Sequence, residues 1–233
     1  MIAMVLGAGR GTRLGKLGAD LPKVLVDICG RPLLHRQLDY LAREGVDRVV
    51  VNAFHRAQAI EDFAAAYSGP LKLDVSVEPD LLGTAGGVRN ALPELGSEPF
   101  FVLYGDVLVD EPLSPVMSAH RASAAPATVT VYESHDIKDK GLVEADEHGF
   151  VSQFVEKGSE AEAPGLVNAG LYVIDPASLE SWPPGAVFDF GFDYFPALLG
   201  RGERIHVHEL AQPVIDIGTP DGLARGRRVF GCA

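Results

Sequence analysis

Three closely spaced glycines, Gly7, Gly9 and Gly11, follow the apolar run Ile2 to Leu6, and Thr12, Arg13 and the pair Pro22-Lys23 come after them. A strand that opens into such a loop lets backbone N–H groups approach a ligand's phosphates with no Cβ in the way. Arg10, Arg13, Lys16 and Lys23 add cationic side chains to the same segment. These residue types suit the cradling of a polyphosphate by a loop that carries its own charge-neutralising arm. Two commoner glycine motifs do not fit. The dinucleotide fingerprint needs a third glycine where Thr12 stands, and a Walker A loop on Gly15-Lys16 needs glycine at Arg10 and Ser or Thr at Leu17.

Two carboxylates stand apart from this segment. Asp106 ends the run FFVLYGD, and Asp216 follows Val214-Ile215 just ahead of a predicted helix. A Mg2+ ion is typically held by one or two carboxylates with substrate phosphates and waters, so this pair is a sufficient protein contribution. An aspartate at a strand end is also a common turn or cap residue. Thr219-Pro220 already supplies the cap and first residue of the last helix, which leaves Asp216 for another task. His206 and His208 share a face of a predicted strand, but no Cys or carboxylate stands at ligand spacing to make them a metal site. Cys29 reads as a small buried residue rather than a nucleophile, and Trp182, flanked by Ser181 and two prolines, as loop packing.

The elements that must position these groups alternate. Ile2 to Leu6, Arg48 to Asn52, Leu71 to Val77 and Phe100 to Tyr104 read as strands, rich in β-branched and aromatic residues. Pro32 opens a helix with Leu34, Leu38 and Leu41 on one face, ending near Gly45. His55 to Tyr67 and Thr84 to Leu92 read as two more helices. The later segments Thr128 to Tyr132, Gly141 to Ala145, Phe150 to Val155 and Leu171 to Ile174 read as strands joined by turns, with a hairpin at His148-Gly149. The predicted fold class is α/β: a doubly wound, mixed but mainly parallel sheet flanked by helices, Rossmann-like in architecture. Ligands of such sheets bind at the carboxyl ends of strands, where Gly7, Asn52, Glu78 and Asp106 all fall.

At 233 residues with a 47% hydrophobic fraction the chain has ample core for one domain over 1–233, with no linker, repeat or low-complexity segment dividing it. A formal charge of −12 argues against nucleic acid or an anionic membrane as partner. The first 31 residues nevertheless carry five Lys/Arg against two acids, as a small anionic ligand would require. No apolar run approaches the roughly 18 residues of a membrane span, and no signal peptide is read at the N-terminus. Two cysteines argue no disulfide framework, so a reducing, cytoplasmic location is the expectation.

Read in order, GAGRGTR, PK, LGTAGGVRNA, FVLYGD, VEKG, VNAGLYVID, FDFGFDYFPALL and VIDIGTPDGLARG run from Gly7 to Gly226. This ordered set resembles the sugar-1-phosphate nucleotidylyltransferases, and within them most the guanylyltransferases for mannose 1-phosphate or D-glycero-D-manno-heptose 1-phosphate. The resemblance implies a GT-A-like nucleotidyltransferase fold, with sugar-binding and closing elements in about 107–213 and no C-terminal hexapeptide-repeat domain, and a set of roles. Leu6, Gly7, Ala8, Gly9, Arg10, Gly11 and Thr12 would line the nucleotide, and Glu78, Gly83 and Thr84 would lie at the base. Arg13 and Lys23 would neutralise the triphosphate, and Asp106 and Asp216 would hold Mg2+. Glu156 would meet sugar hydroxyls and Lys157 the sugar phosphate, with Gly105, Asn168 and Gly170 receiving the sugar. Gly158 departs from the proline usual after the lysine.

The implied reaction is in-line attack of a sugar 1-phosphate on the α-phosphorus of a nucleoside triphosphate, releasing pyrophosphate. A phosphomonoester with a second pKa of about 6 is already mostly dianionic at pH 7, so no general base is required. The expected partners are a nucleoside triphosphate, GTP first, and a mannose- or heptose-type 1-phosphate, with a homodimer left open. The alternatives are uridylyl, thymidylyl or cytidylyl transfer to another sugar 1-phosphate, or a non-catalytic nucleotide-sugar-binding homologue. A glycosyltransferase of related fold would offer a D-x-D pair, and Asp106-Val107-Leu108 lacks the second acid.

Overall fold

The computed structural model describes residues 1–9, 21–138, 140–155 and 164–232. In chain order the first half holds β1 (Ile2–Leu6), β2 (Asp27–Ile28), β3 (Arg31–Pro32), α1 (Leu33–Arg43), β4 (Arg48–Ala53), α2 (Ala57–Ala66), β5 (Lys72–Val77), α3 (Gly83–Asn90), α4 (Leu92–Leu95), β6 (Phe100–Tyr104) and β7 (Val107–Leu108). The second half holds α5 (Leu113–Ser123), β8 (Ala127–Ser134), β9 (Leu142–Ala145), β10 (Val151–Val155), β11 (Gly165–Ile174), α6 (Phe195–Gly200), β12 (Ile205–Glu209), β13 (Ile215–Asp216) and α7 (Pro220–Val229).

Nine strands make one sheet in the order β10-β9-β11-β6-β1-β4-β5, with β8 pairing both β11 and β12. The strands β6, β1, β4 and β5 are parallel, so their carboxyl ends lie along one edge. Both faces of β1, β4 and β6 are covered, while β5 forms the more exposed edge. Val49, Val50 and Val51 are completely buried, as are Phe100 to Leu103, which is why they read as unbroken apolar runs. The rest of the sheet turns antiparallel through β11, which pairs with β6, β8 and β9. The sheet is therefore mixed, with its parallel half carrying the strand-end loops.

Most expected elements form within a residue or two of their predicted bounds. Pro32 precedes α1 rather than lying inside it, with Leu34, Leu38 and Leu41 packed in the core. The hairpin at His148-Gly149 joins β9 to β10, held by Asp146, whose carboxylate accepts from the N–H groups of His148 and Phe150 at 2.9 Å each. Thr219 caps α7, its hydroxyl accepting from Gly222 N–H at 3.1 Å. No helix among the described residues is long and apolar enough to cross a membrane.

The cysteines correct the sequence reading. Cys29 and Cys232 form a disulfide across a separation of 203 residues, and Cys29 is only half-buried. The bridge fastens the end of α7 to the β2–β3 turn, over a small core of Val26, Ile28, Leu33, Ile217 and Leu223. His206 and His208 lie on β12 as expected, where burial holds both imidazoles below the usual histidine range. Among the described residues no group of three or more His, Cys, Asp or Glu is placed to hold a metal ion.

Candidate active site

The phosphate side begins where β1 ends. Leu6 pairs with Asn52 of β4 on one side and Tyr104 of β6 on the other, so the glycine loop leaves the sheet at the point where successive connections run to opposite sides. Gly7 is buried and its N–H donates to Asn52 Oδ1 at 2.7 Å, while Gly9 is exposed with open space around it. Ala8, between them, is buried. Arg10, Gly11, Thr12 and Arg13 lie outside the described residues.

On the base side, Glu78 continues the network that Gly7 starts. Asn52 Nδ2 donates to Glu78 Oε1 at 2.6 Å, and Glu78 Oε2 accepts from Leu82 N–H at 3.0 Å. Asn52 and Glu78 thus tie Gly7 to Leu82, just ahead of α3. Burial pushes the Glu78 carboxyl up, opposed by the Leu82 and Asn52 hydrogen bonds. Glycine is needed at Gly87 because a Cβ there would fall 2.5 Å from Glu78 Oε1 and 2.6 Å from Asn52 Nδ2. Gly83 and Thr84 open α3, and the Thr84 N–H and hydroxyl both donate to Asp189 Oδ1 at 2.9 Å. Replacing Asn52 by alanine leaves the Gly7 N–H and one Glu78 oxygen without partners. The expected result is a loss of about 1–3 kcal/mol in urea unfolding.

Asp106 and Asp216 are positioned by two short strands. β7 and β13 pair antiparallel with Asp216 opposite Val107, and Ile217 N–H donates to the Asp106 carbonyl at 2.8 Å. Lys23, at the start of a 3-10 turn after Pro22, places its Nζ 2.6 Å from Asp106 Oδ2, with both side chains mostly buried. Asp216 is exposed, and its Oδ1 accepts from Gly218 N–H at 2.6 Å. A Cβ placed on Gly218 would lie 2.7 Å from Lys23 Nζ, 2.8 Å from Asp216 Oδ1 and 2.9 Å from Asp106 Oδ2. One cation and two carboxylates therefore converge on one point. An all-oxygen donor pair with one compensating ammonium fits a hard divalent ion that completes its shell with phosphate oxygens and water.

Beside the carboxylates lies a cavity of about 350 Å³ whose lining includes Asp106, Asp216, Asn168 and Gly170. Gly105 closes the strand end above it, donating to the Leu6 carbonyl at 3.1 Å. Gly170 has φ +70°, a left-handed conformation that suits glycine, and it interrupts β11 where the register against β8 shifts. A Cβ there would meet the Tyr104 ring at 3.2 Å. Asn168 braces this kink, its Oδ1 accepting from Gly170 N–H at 3.0 Å and its Nδ2 donating to Tyr172 hydroxyl at 2.8 Å. Glu156 and Lys157 follow β10 and lie outside the described residues.

Of the residues singled out in the sequence, the structure sets Asp106, Asp216, Asn168 and Gly170 around one cavity, and Lys23 bonds to Asp106. It missed the working roles of Asn52 and Asp189. Asn52 carried a usable signal, a buried-strand end with an amide that needs partners. Asp189 carried none, because its partner Thr84 lies 105 residues away.

The carboxyl ends of β1 and β6 thus carry the start of the glycine loop and Asp106, with Lys23 and Asp216 meeting Asp106 around Gly218. The chain belongs to the nucleotidyl transferase family, whose profile it matches over residues 2–228. It is 31% identical to the mannose-1-phosphate guanylyltransferase of Mycobacterium tuberculosis over 226 residues, covering 96% of this chain and 63% of that protein. It is 30% identical to the UTP–glucose-1-phosphate uridylyltransferase of Synechocystis over 239 residues, covering 95% of this chain and 61% of that protein. The chain thus spans a little over three-fifths of the length of these curated relatives. Among solved structures, HddC from Yersinia pseudotuberculosis complexed with GMP-PN superposes with a TM-score of 0.87 at 27% identity, covering 98% of this chain and 99% of that one.

Proposed function

We propose that the chain is a sugar-1-phosphate nucleotidylyltransferase that makes a nucleotide sugar and pyrophosphate, with GTP and a mannose- or heptose-type 1-phosphate as its pair. The observation that carries this reading is the convergence of Lys23, Asp106 and Asp216 between the glycine loop and the cavity. The guanylyltransferase relative and the GMP-PN complex of HddC support the choice of base.

In this reading the triphosphate lies over the Gly7 loop with its base toward residues 82–87, and the sugar 1-phosphate enters from the cavity. The sugar phosphate oxygen attacks the α-phosphorus, the new P–O bond forms as the bond to the β-phosphate bridge breaks, and pyrophosphate leaves. No proton need be removed from the nucleophile. The protein's contribution is positioning and charge neutralisation. Lys23 sits where it can shift from Asp106 to a phosphate oxygen, and Arg13 and Lys157 are assigned the triphosphate and the incoming phosphate. Mg2+ held by Asp106 and Asp216 would supply positive charge at the reacting phosphates.

The test is pyrophosphate release with Mg2+ across GTP, UTP, dTTP, CTP and ATP against mannose, heptose and glucose 1-phosphates. Release only when a nucleotide and a sugar phosphate are both present, fastest with GTP, is expected. Fastest release with UTP would replace the guanylyl assignment by the uridylyl one, and silence across the panel would favour a binding homologue.

A further inference from the structure

Helix α1 lays Leu34, Leu38 and Leu41 in the core, and Gln37, three residues after Leu34 and four before Leu41, falls on that same face. An amide is an uncommon occupant of an apolar stripe, and Gln37 is only 1% exposed. Its Nε2 donates to the Tyr104 carbonyl at 3.1 Å and to the Val107 carbonyl at 2.8 Å. Both neighbours are acceptors, which fixes the amide with its nitrogen toward them. Among the described residues its Oε1 has no hydrogen-bond partner. A half-paired buried amide is costly as packing, so what this residue supplies is the pair of bonds its nitrogen makes.

Tyr104 ends β6 and Val107 begins β7, and between them stand only Gly105 and Asp106. One side-chain nitrogen thus joins both ends of the turn that carries Asp106. The middle of the turn is held from other directions. Gly105 N–H donates to the Leu6 carbonyl at 3.1 Å, and the Asp106 carbonyl accepts from Ile217 N–H at 2.8 Å. A Cβ on Gly105 would collide with the Leu6 carbonyl and with Val24, so the turn is pressed closely against β1. Val107 also pairs with Asp216 across β7 and β13, so the hold on Val107 bears on the second carboxylate as well.

We propose that Gln37 is a positioning residue for the reaction: by clamping Tyr104 and Val107 it fixes the turn that aims the Asp106 carboxylate at a divalent ion. The proposal rests on the nucleotidyl transfer assigned above and adds to it a residue that acts through Asp106 rather than on a substrate. Without the clamp the turn is tied only at its middle, by the Gly105 and Asp106 backbone contacts, and its ends are free to pivot. Groups that orient a metal's ligands from behind typically matter by about 10–100-fold in metal affinity or activity, which sets the size of the effect.

The experiment compares the parent with Gln37→Met, which keeps the side chain's length and removes both donors. Gln37→Leu serves as a second variant of the same kind. Binding of the best nucleotide is titrated calorimetrically without a sugar phosphate, once with excess Mg2+ and once with EDTA. The Mg2+ concentration for half-maximal pyrophosphate release is measured alongside. In both variants the gain in nucleotide affinity that Mg2+ brings should shrink by about 10-fold or more, and the Mg2+ requirement should rise by a similar factor. Affinity in EDTA should stay at the parent's value. Leu41→Ala, a core change on the same face of α1, should lower the melting temperature and leave the Mg2+ dependence alone. Parent-like Mg2+ behaviour in the Gln37 variants, or the same shift in Leu41→Ala, would overturn the proposal, while release by the parent keeps the nucleotidyl-transfer reading standing. A parent that releases no pyrophosphate with any pair would overturn that reading and the proposal with it.

Discussion

Replacing Asp106 by asparagine is expected to lower turnover by at least about 10²–10³-fold while the protein stays folded. Asparagine preserves the side chain's shape, and the backbone contact from Ile217 N–H to the Asp106 carbonyl does not depend on the carboxylate. What is lost is one of the two negative charges that meet near Gly218, together with the ion pair to Lys23. The Mg2+ concentration needed for half-maximal rate should rise in the same variant. A circular dichroism melt within a few degrees of the parent, alongside steady-state rates over a Mg2+ titration, separates this from unfolding. Near-normal turnover at ordinary Mg2+ would remove Asp106 from the reacting centre.

The second large effect is on stability. The Cys29–Cys232 bridge closes a loop over a separation of 203 residues. Disulfides typically contribute about 2–4 kcal/mol, and about 2–4 °C of melting temperature accompanies each kcal/mol in a chain of this size, so Cys232→Ser should melt about 4–16 °C lower. Reductant should lower the melting temperature of the parent by a similar amount and leave the variant unmoved. The bridge holds α7, which begins three residues after Ile217, against the hairpin that follows Lys23. Loosened protein should therefore also show a higher Mg2+ requirement. A parent unaffected by reductant would mean that the bridge does not hold the C-terminal helix in solution.

The parallel half of the fold was legible because its strands are buried on both sides. Val49 to Val51 and Phe100 to Leu103 leave no polar position to blur the pattern, and turn residues follow directly. The antiparallel half was harder. β11 spans Gly165 to Ile174 through a register shift at Gly170, yet only Leu171 to Ile174 reads as strand, because Asn168 and Gly170 carry turn chemistry. Here that chemistry makes a kink inside a strand at the cavity. Helix α5 was not read because Pro115 sits near the start of LSPVMSAHRAS, and proline is tolerated there since first-turn N–H groups have no helical acceptor.

The same division holds for the site. Asp106 and Asp216 could be picked out as carboxylates at strand ends, and Lys23 from its place after Pro22 in the basic segment that follows the glycines. The Asn52–Glu78 pair could be read only as two strand ends, since its hydrogen bonds depend on β4 and β5 lying side by side. The disulfide left no local trace at all, because a bridge between distant cysteines is set by tertiary packing.

The most direct test of nucleotidyl transfer is ³¹P NMR of an equimolar mixture of GTP, mannose 1-phosphate and Mg2+ with the purified protein. The account predicts coupled pyrophosphate-diester signals that grow as the sugar-phosphate signal falls, with one inorganic pyrophosphate for each diester. Pyrophosphate or phosphate appearing without that diester would mean hydrolysis, and would contradict transfer to a sugar 1-phosphate.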